Sequence, residues 1–283
     1  MSLTKYLLSI FLTSLSLLSF SQSKDSTVFM KWKLKPNETL SYKTIMQEID
    51  TANHKDLSFD GMFKSMGIDS KKDNFDEMLK KLNAEIRNAN FVTRLTEKRK
   101  GLINLEFSLI KDSTKTPKDA AANNELQKAF NQMTSGVMLR GTLYEDGTIE
   151  SFYTKEEQKN LMAIMFELPG RSVKIGDTWP LSINFLSMDQ NFTCDSSYRK
   201  NTVKLVGVEN RNGEHIVNLK YDMAEYVSGT FLSTKTSMKM TYQGIAGFSL
   251  EKGRWVIYEG IMSLTSTGIM TSQSTKTVSL IPE

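Results

Sequence analysis

The chain has 283 residues, a formal net charge of +4, 24% charged and 39% hydrophobic residues, and one cysteine, Cys194. Acids and bases interleave, as in Glu97-Lys98-Arg99-Lys100, the pattern of a solvated surface, which excludes a basic nucleic-acid stripe. A lone cysteine excludes an internal disulfide and a cysteine-built zinc site, so the fold must rest on a hydrophobic core, which this length can supply.

Lys5 precedes an apolar run from Tyr6 to Phe20, and Ser19 and Ser21 supply small residues at the positions read before Gln22. This predicts a secretory signal peptide over residues 1–21 and one β-rich domain over 22–283. A retained membrane anchor is the other reading, but the run is shorter than the roughly 20 residues a span needs. No later run is long enough to span, so no transmembrane segment is expected after cleavage. With Cys194 as the sole cysteine, no lipid-bearing cysteine follows the cleavage site. A periplasmic or secreted location is expected.

Val28, Met30, Trp32 and Leu34 alternate with Phe29, Lys31 and Lys33 and predict a first strand. Pro36-Asn37-Glu38 is a turn signal, and Leu40 to Ile49 predicts a second strand, with Leu40, Tyr42 and Met46 on one face. The two read as a hairpin. Residues 51–68 lose the period and suggest a short helix or an excursion. Phe75, Met78, Leu79, Leu82 and Ile86 recur at three and four and predict a helix over 72–88.

Phe91–Lys98 and Leu102–Ile110 predict a hairpin about Gly101. Thr116 and Pro117 open a second helix to about Ser135. Val137–Tyr144 and Thr148–Tyr153 predict a hairpin about Glu145-Asp146-Gly147. Thr154 and Glu157 have capping-box spacing for a third helix, with Leu161, Met162, Met165 and Phe166 as its apolar side and Pro169-Gly170 as its stop. Gly176-Asp177 turns the chain and leaves Trp179 to seal a core edge. Further strands are expected over 181–186, 191–199 and 202–208.

From about Thr202 to Ile281 the pattern is a long-stranded meander. Val217 to Met223 alternates with odd positions apolar, and Met238 to Gln243 with even positions apolar, the period of two of a sheet with one buried face. Gly213, Gly229, Gly253 and Gly268 mark its turns, about 15 to 24 residues apart. The expected fold is α+β: a large curved, mostly antiparallel sheet, like a half-barrel, with about three packed helices.

No Gly-x-Ser-x-Gly, phosphate loop or dinucleotide fingerprint is present. His54 and His215 are far apart and read as surface histidines. Asp189, Asp195, Glu156 and Glu157 read as surface acids and helix caps. Metal ligation, a cofactor and catalysis are therefore not expected. Methionine stands out, with 16 residues. Met is flexible and polarisable, so a methionine-rich face adapts to varied partners, though Met also fills loose cores. Met223, Met238, Met240, Tyr242 and Met262 are the candidate ligand-binding residues. A Cu(I) site at Met238 and Met240 has no His or Cys nearby in sequence to complete it.

The Phe20-Ser21-Gln22 junction, the passage from Leu168-Pro169 through Val173-Lys174-Ile175-Gly176-Asp177-Thr178-Trp179, and Gly247-Phe248-Ser249-Leu250 resemble a family of exported β-rich proteins of Bacteroidota, a domain of unknown function. The resemblance implies export and a β-rich fold and carries no activity. In architecture the pattern is similar to the half-barrel of periplasmic lipoprotein carriers, which implies a fold only. The function expected is non-enzymatic binding of a lipid or other apolar ligand on the concave sheet face. The alternative is an envelope scaffold or interaction domain with a filled core, its partner an envelope protein.

Overall fold

The computed structural model describes residues 27–50, 52–58, 90–110, 136–153, 156–184 and 191–283. The strands are β1 (Thr27–Val28), β2 (Thr39–Glu48), β3 (Lys55–Ser58), β4 (Asn90–Arg99), β5 (Leu102–Ile110), β6 (Gly136–Tyr144), β7 (Ile149–Tyr153), β8 (Val173–Lys174), β9 (Thr178–Trp179), β10 (Phe192–Arg211), β11 (Glu214–Phe231), β12 (Thr234–Ser249), β13 (Arg254–Thr267) and β14 (Thr271–Pro282). One helix, α1 (Glu156–Phe166), lies between β7 and β8.

Twelve strands form one antiparallel sheet in the order β7-β6-β5-β4-β2-β14-β13-β12-β11-β10-β9, with β3 also on β14. β1 pairs with β8 apart from it. The C-terminal strand β14 sits between β13 and β2, so both halves of the chain share one ladder. The sheet has ends at β7 and β9 and is not a closed barrel.

The expected α+β class is overturned: the described chain is mostly β, and α1 is its one helix. The long strands β10 to β14, of 20, 18, 16, 14 and 12 residues, bring much of the core themselves. The helices expected over 72–88 and 116–135 and the signal segment 1–21 lie outside the described residues. No helix among the described residues is long and apolar enough to cross a membrane.

The helix α1 starts two residues after Thr154, as its cap signal predicted, but it is no surface helix with one apolar side. Met162, Ala163, Ile164, Met165 and Phe166 are all buried. The first half of the helix, Glu156 to Asn160, is polar in sequence, but its last turn and more is apolar all round, and such a stretch belongs inside, where the sheet curls about it. Thr44 on β2 offers its hydroxyl to the Met165 sulfur at 3.9 Å, while Trp255 and Tyr258 reach it from β13. Core residues from β6, such as Leu139, and from β10, such as Leu205, belong to the same hydrophobic cluster.

Burying a helix end strands its last four carbonyls. Here each has a partner. The Glu167 amide donates to Ala163 O at 3.1 Å. Tyr258 Oη donates to Ile164 O at 2.8 Å, Trp255 Nε1 to Met165 O at 2.7 Å, and Trp32 Nε1 to Phe166 O at 3.1 Å. These three aromatic residues thus fill the core with their rings and cap the helix with their polar tips. Nearer the helix start, the Asn160 side chain pairs with the backbone of Asn184, accepting from its amide at 2.7 Å and donating to its carbonyl.

Several local expectations are corrected. Residues 28–34 alternate buried and exposed, yet only Thr27–Val28 is a strand. The Trp32 and Lys33 amides donate instead to Glu145 O and Gly253 O, and β2 pairs with β14 and β4. Alternation reports an extended backbone with one buried side and names no partner. Part of the region expected to be helix or excursion is strand β3. The strands expected over 191–199 and 202–208 are one strand, β10. Residues 181–184 are not strand. The β11–β12 turn is made by Leu232 and Ser233, at φ 46° and 63°. Gly229 lies inside β11, where a Cβ would meet the Thr193 carbonyl oxygen at 2.2 Å.

Candidate functional site

The five candidate residues fall on one face of three neighbouring strands. Met223, Tyr242 and Met262 are cross-strand partners on β11, β12 and β13. One row on, Glu225, Met240 and Leu264 pair in the same way, followed by Val227, Met238 and Ser266. Residues two apart on a strand share a face, so these rows stack on the inner side of the sheet, beyond the part that α1 occupies.

Burial divides the five. Met223 and Tyr242 are 1% exposed and belong to the core, whereas Met238, Met240 and Met262 are half-buried. Tyr242 is held by its surroundings. Gly244 and Gly260 pair across β12 and β13, and a Cβ on Gly260 would lie 2.5 to 2.6 Å from Tyr242 ring and hydroxyl atoms. The tyrosine ring therefore lies on the space those glycines leave, an aromatic covering a glycine pair. Tyr221 sits edge-on to Tyr242, with ring centroids 6.0 Å apart, and 5.6 Å from Tyr258. Burial pushes the hydroxyl pKa of Tyr221, Tyr242 and Tyr258 up, as expected where a phenolate would be desolvated.

The half-buried methionines and Leu264 form a shelf with charged groups on two sides. On the β10 side Arg199 Nε lies 3.4 Å from Glu225 Oε1, and Glu225 is nearly buried. The same guanidinium donates to Ile183 O through Nη2. In the Met262 row, Lys276 and then Glu48 follow on β14 and β2. Glu48 Oε1 accepts from the Thr275 amide at 2.8 Å, and Glu48 Oε2 lies 3.2 Å from His54 Nδ1. His54 Nε2 lies 2.8 Å from Asp56 Oδ1. His54, expected to be a surface histidine, is only 16% exposed at its side chain and links β2 to the start of β3. His215 is exposed, 2.8 Å from Glu251 Oε1.

Sequence reasoning found the methionines and missed these flanks. The period of two marked the apolar positions, but Lys276 comes to stand opposite Glu48 only because β14 inserts beside β2, which no local pattern reports. Asp195, expected to be a surface acid, pairs with Lys235 Nζ at 2.7 Å. The side chains of Glu156 and Glu157, and all of Asp189, lie outside the described residues. Among the described residues no three or more His, Cys, Asp or Glu side chains are grouped to hold a metal ion.

The arrangement offers soft apolar contact from sulfur and methyl groups, with ion pairs at both borders. It can accept an apolar chain or side chain on the shelf and orient a polar end at its margin. Comparison with protein-family models, with curated proteins and with solved structures gives no match.

Proposed function

We propose that this is an exported, non-enzymatic binding protein whose apolar ligand lies on the shelf formed by Met238, Met240, Met262 and Leu264. The observation that carries the reading is the contrast along one inner face. Met223 and Tyr242 are sealed into the core, while Met262 in their row and Met240, Leu264 and Met238 in the rows that follow stay half-buried, with charged groups at the borders. An apolar chain gains from burial on such a shelf, at about 25 cal/mol per Å² removed from water. Export to the periplasm or beyond rests on the Lys5 and Tyr6–Phe20 pattern. A second reading, an envelope interaction domain with a filled core, is favoured by α1 and its aromatic caps, which occupy much of the concave side.

Titration with the apolar fluorophore N-phenyl-1-naphthylamine separates the two. On the binding reading the protein enhances its fluorescence saturably, and Met240→Asp weakens that binding at least about tenfold, or ~1.4 kcal/mol, with a small change in melting temperature. Lys239→Gln, at an exposed position on the other face, stays within about 0.5 kcal/mol of the parent stability. On the filled-core reading the fluorophore does not bind, and Met240→Asp lowers the melting temperature sharply, because an unpaired carboxylate enters packed apolar groups.

A further inference from the structure

Away from the shelf, a pocket of about 440 Å³ is lined by none of the shelf residues. Its walls come from three separate segments: Phe29 and Lys31 after β1, Gly101 in the β4–β5 turn, and Tyr144, Glu145, Asp146 and Thr148 around the β6–β7 turn. Backbone bonds pin the segments together. The Trp32 amide donates to Glu145 O at 2.7 Å and the Glu145 amide to Gly101 O at 3.3 Å. The turn is closed by Gly147 N to Tyr144 O at 2.8 Å, and by Asp146 Oδ1, which accepts from Thr148 N and Oγ1 at 2.9 and 2.7 Å. Trp32 itself is held in the core by Phe166 O. The site is thus preformed, which lowers the ordering cost of binding.

Its chemistry is mixed. Phe29 and Tyr144 are 39% and 43% exposed, so two aromatic side chains stand at the pocket with much of their surface in water. Lys31 Nζ lies 5.1 Å from the Phe29 ring centroid. Among the described residues the Lys31 ammonium, the Tyr144 hydroxyl and the Glu145 carboxylate carry no hydrogen bond or ion pair. Apart from the Lys31 contact with the Phe29 ring, donors and acceptors of both signs therefore stand beside aromatic surface with no polar partner among the described residues. A purely apolar ligand would leave them unpaired, and a simple ion would meet both attraction and repulsion. A pyranose ring satisfies the set: its C–H face packs on an aromatic ring, and each hydroxyl can donate to a carboxylate while accepting from an ammonium or phenol.

We propose that this pocket binds a neutral saccharide of one or two pyranose rings. The volume suits a ligand of that size. The proposal goes beyond the shelf reading and stands independently of it. The test is an NMR titration of the full chain with cellobiose, maltose and N,N′-diacetylchitobiose, each to millimolar concentration, with free leucine as a zwitterionic comparison. At least one disaccharide is expected to shift the amide signals of Gly101, Tyr144 and Glu145. Phe29→Ala and Tyr144→Ala, both at exposed positions, should each weaken it about tenfold or more at unchanged melting temperature. The proposal is overturned if none of the three sugars binds, if the shifts map elsewhere, if Tyr144→Ala binds as the parent does, or if leucine alone takes the pocket.

Discussion

Trp255→Ala should cost about 3–5 kcal/mol of stability, measured by urea unfolding, the range for deleting a large buried aromatic. The indole packs against Phe248, Tyr258 and Trp32, with ring centroids 5.0, 5.4 and 5.7 Å away. Its Nε1 caps Met165 O at 2.7 Å and its amide donates to the Tyr42 hydroxyl at 3.0 Å. Removing the ring opens a cavity where the helix end meets the sheet, and it orphans a buried carbonyl. Trp255→Phe separates the two effects. It keeps most of the packing but removes the donor, so a loss of about 1–3 kcal/mol is expected, the cost of an unsatisfied buried polar group. A neutral Trp255→Phe variant would show that the cap contributes nothing, and that packing alone holds α1.

A steep alkaline unfolding is the second large effect. Tyr42, Tyr221, Tyr242 and Tyr258 are buried, and desolvation pushes each hydroxyl pKa up from the ordinary value near 10. At Tyr42 the hydrogen bond from the Trp255 amide works against that rise without cancelling it. With the folded pKa above the unfolded one, the folded state keeps its protons where the unfolded chain has lost them. These tyrosines therefore leave stability unaffected below about pH 9, and stability is lost as pH rises above about 10 toward the folded values. Each contributes a slope of about 1.4 kcal/mol per pH unit, so four together remove roughly 5 kcal/mol per unit. A domain of typical stability, about 5–15 kcal/mol, should unfold cooperatively within a few pH units. Tyrosinate absorbance from these groups should rise together with the loss of near-ultraviolet dichroism. Ionisation of all nine tyrosines without loss of dichroism would contradict the burial of the cluster.

How much of this was legible in the chain depends on the range of the interaction. The two hairpins at Gly101 and Gly147 were read correctly because each turn needs a left-handed residue, at φ 81° and 82°, and glycine announces it. The turn at Leu232-Ser233 was missed for the same reason in reverse, since ordinary residues hold positive φ there. Gly229 was read as a turn, whereas the glycine is needed for the close approach of β10. The face shared by Met238, Met240 and Tyr242 followed from period two alone. The helix α1 was located by its cap signal, but its depth was not, because burial of its whole C-terminal end is imposed by a sheet curling round it. The charged borders of the shelf depend on contacts between distant parts of the chain, such as β14 lying beside β2, and left no local trace.

On the proposed reading, the shelf of Met238, Met240, Met262 and Leu264 holds an apolar ligand. Native mass spectrometry of the full chain, expressed in its original host and purified without detergent, tests it most directly. A population heavier than the bare chain by one apolar small molecule is expected, which organic extraction releases and Met240→Asp abolishes in a protein that remains folded. Bare chain alone from the parent protein, together with no uptake of N-phenyl-1-naphthylamine, would contradict it and leave the filled-core interaction domain as the better description.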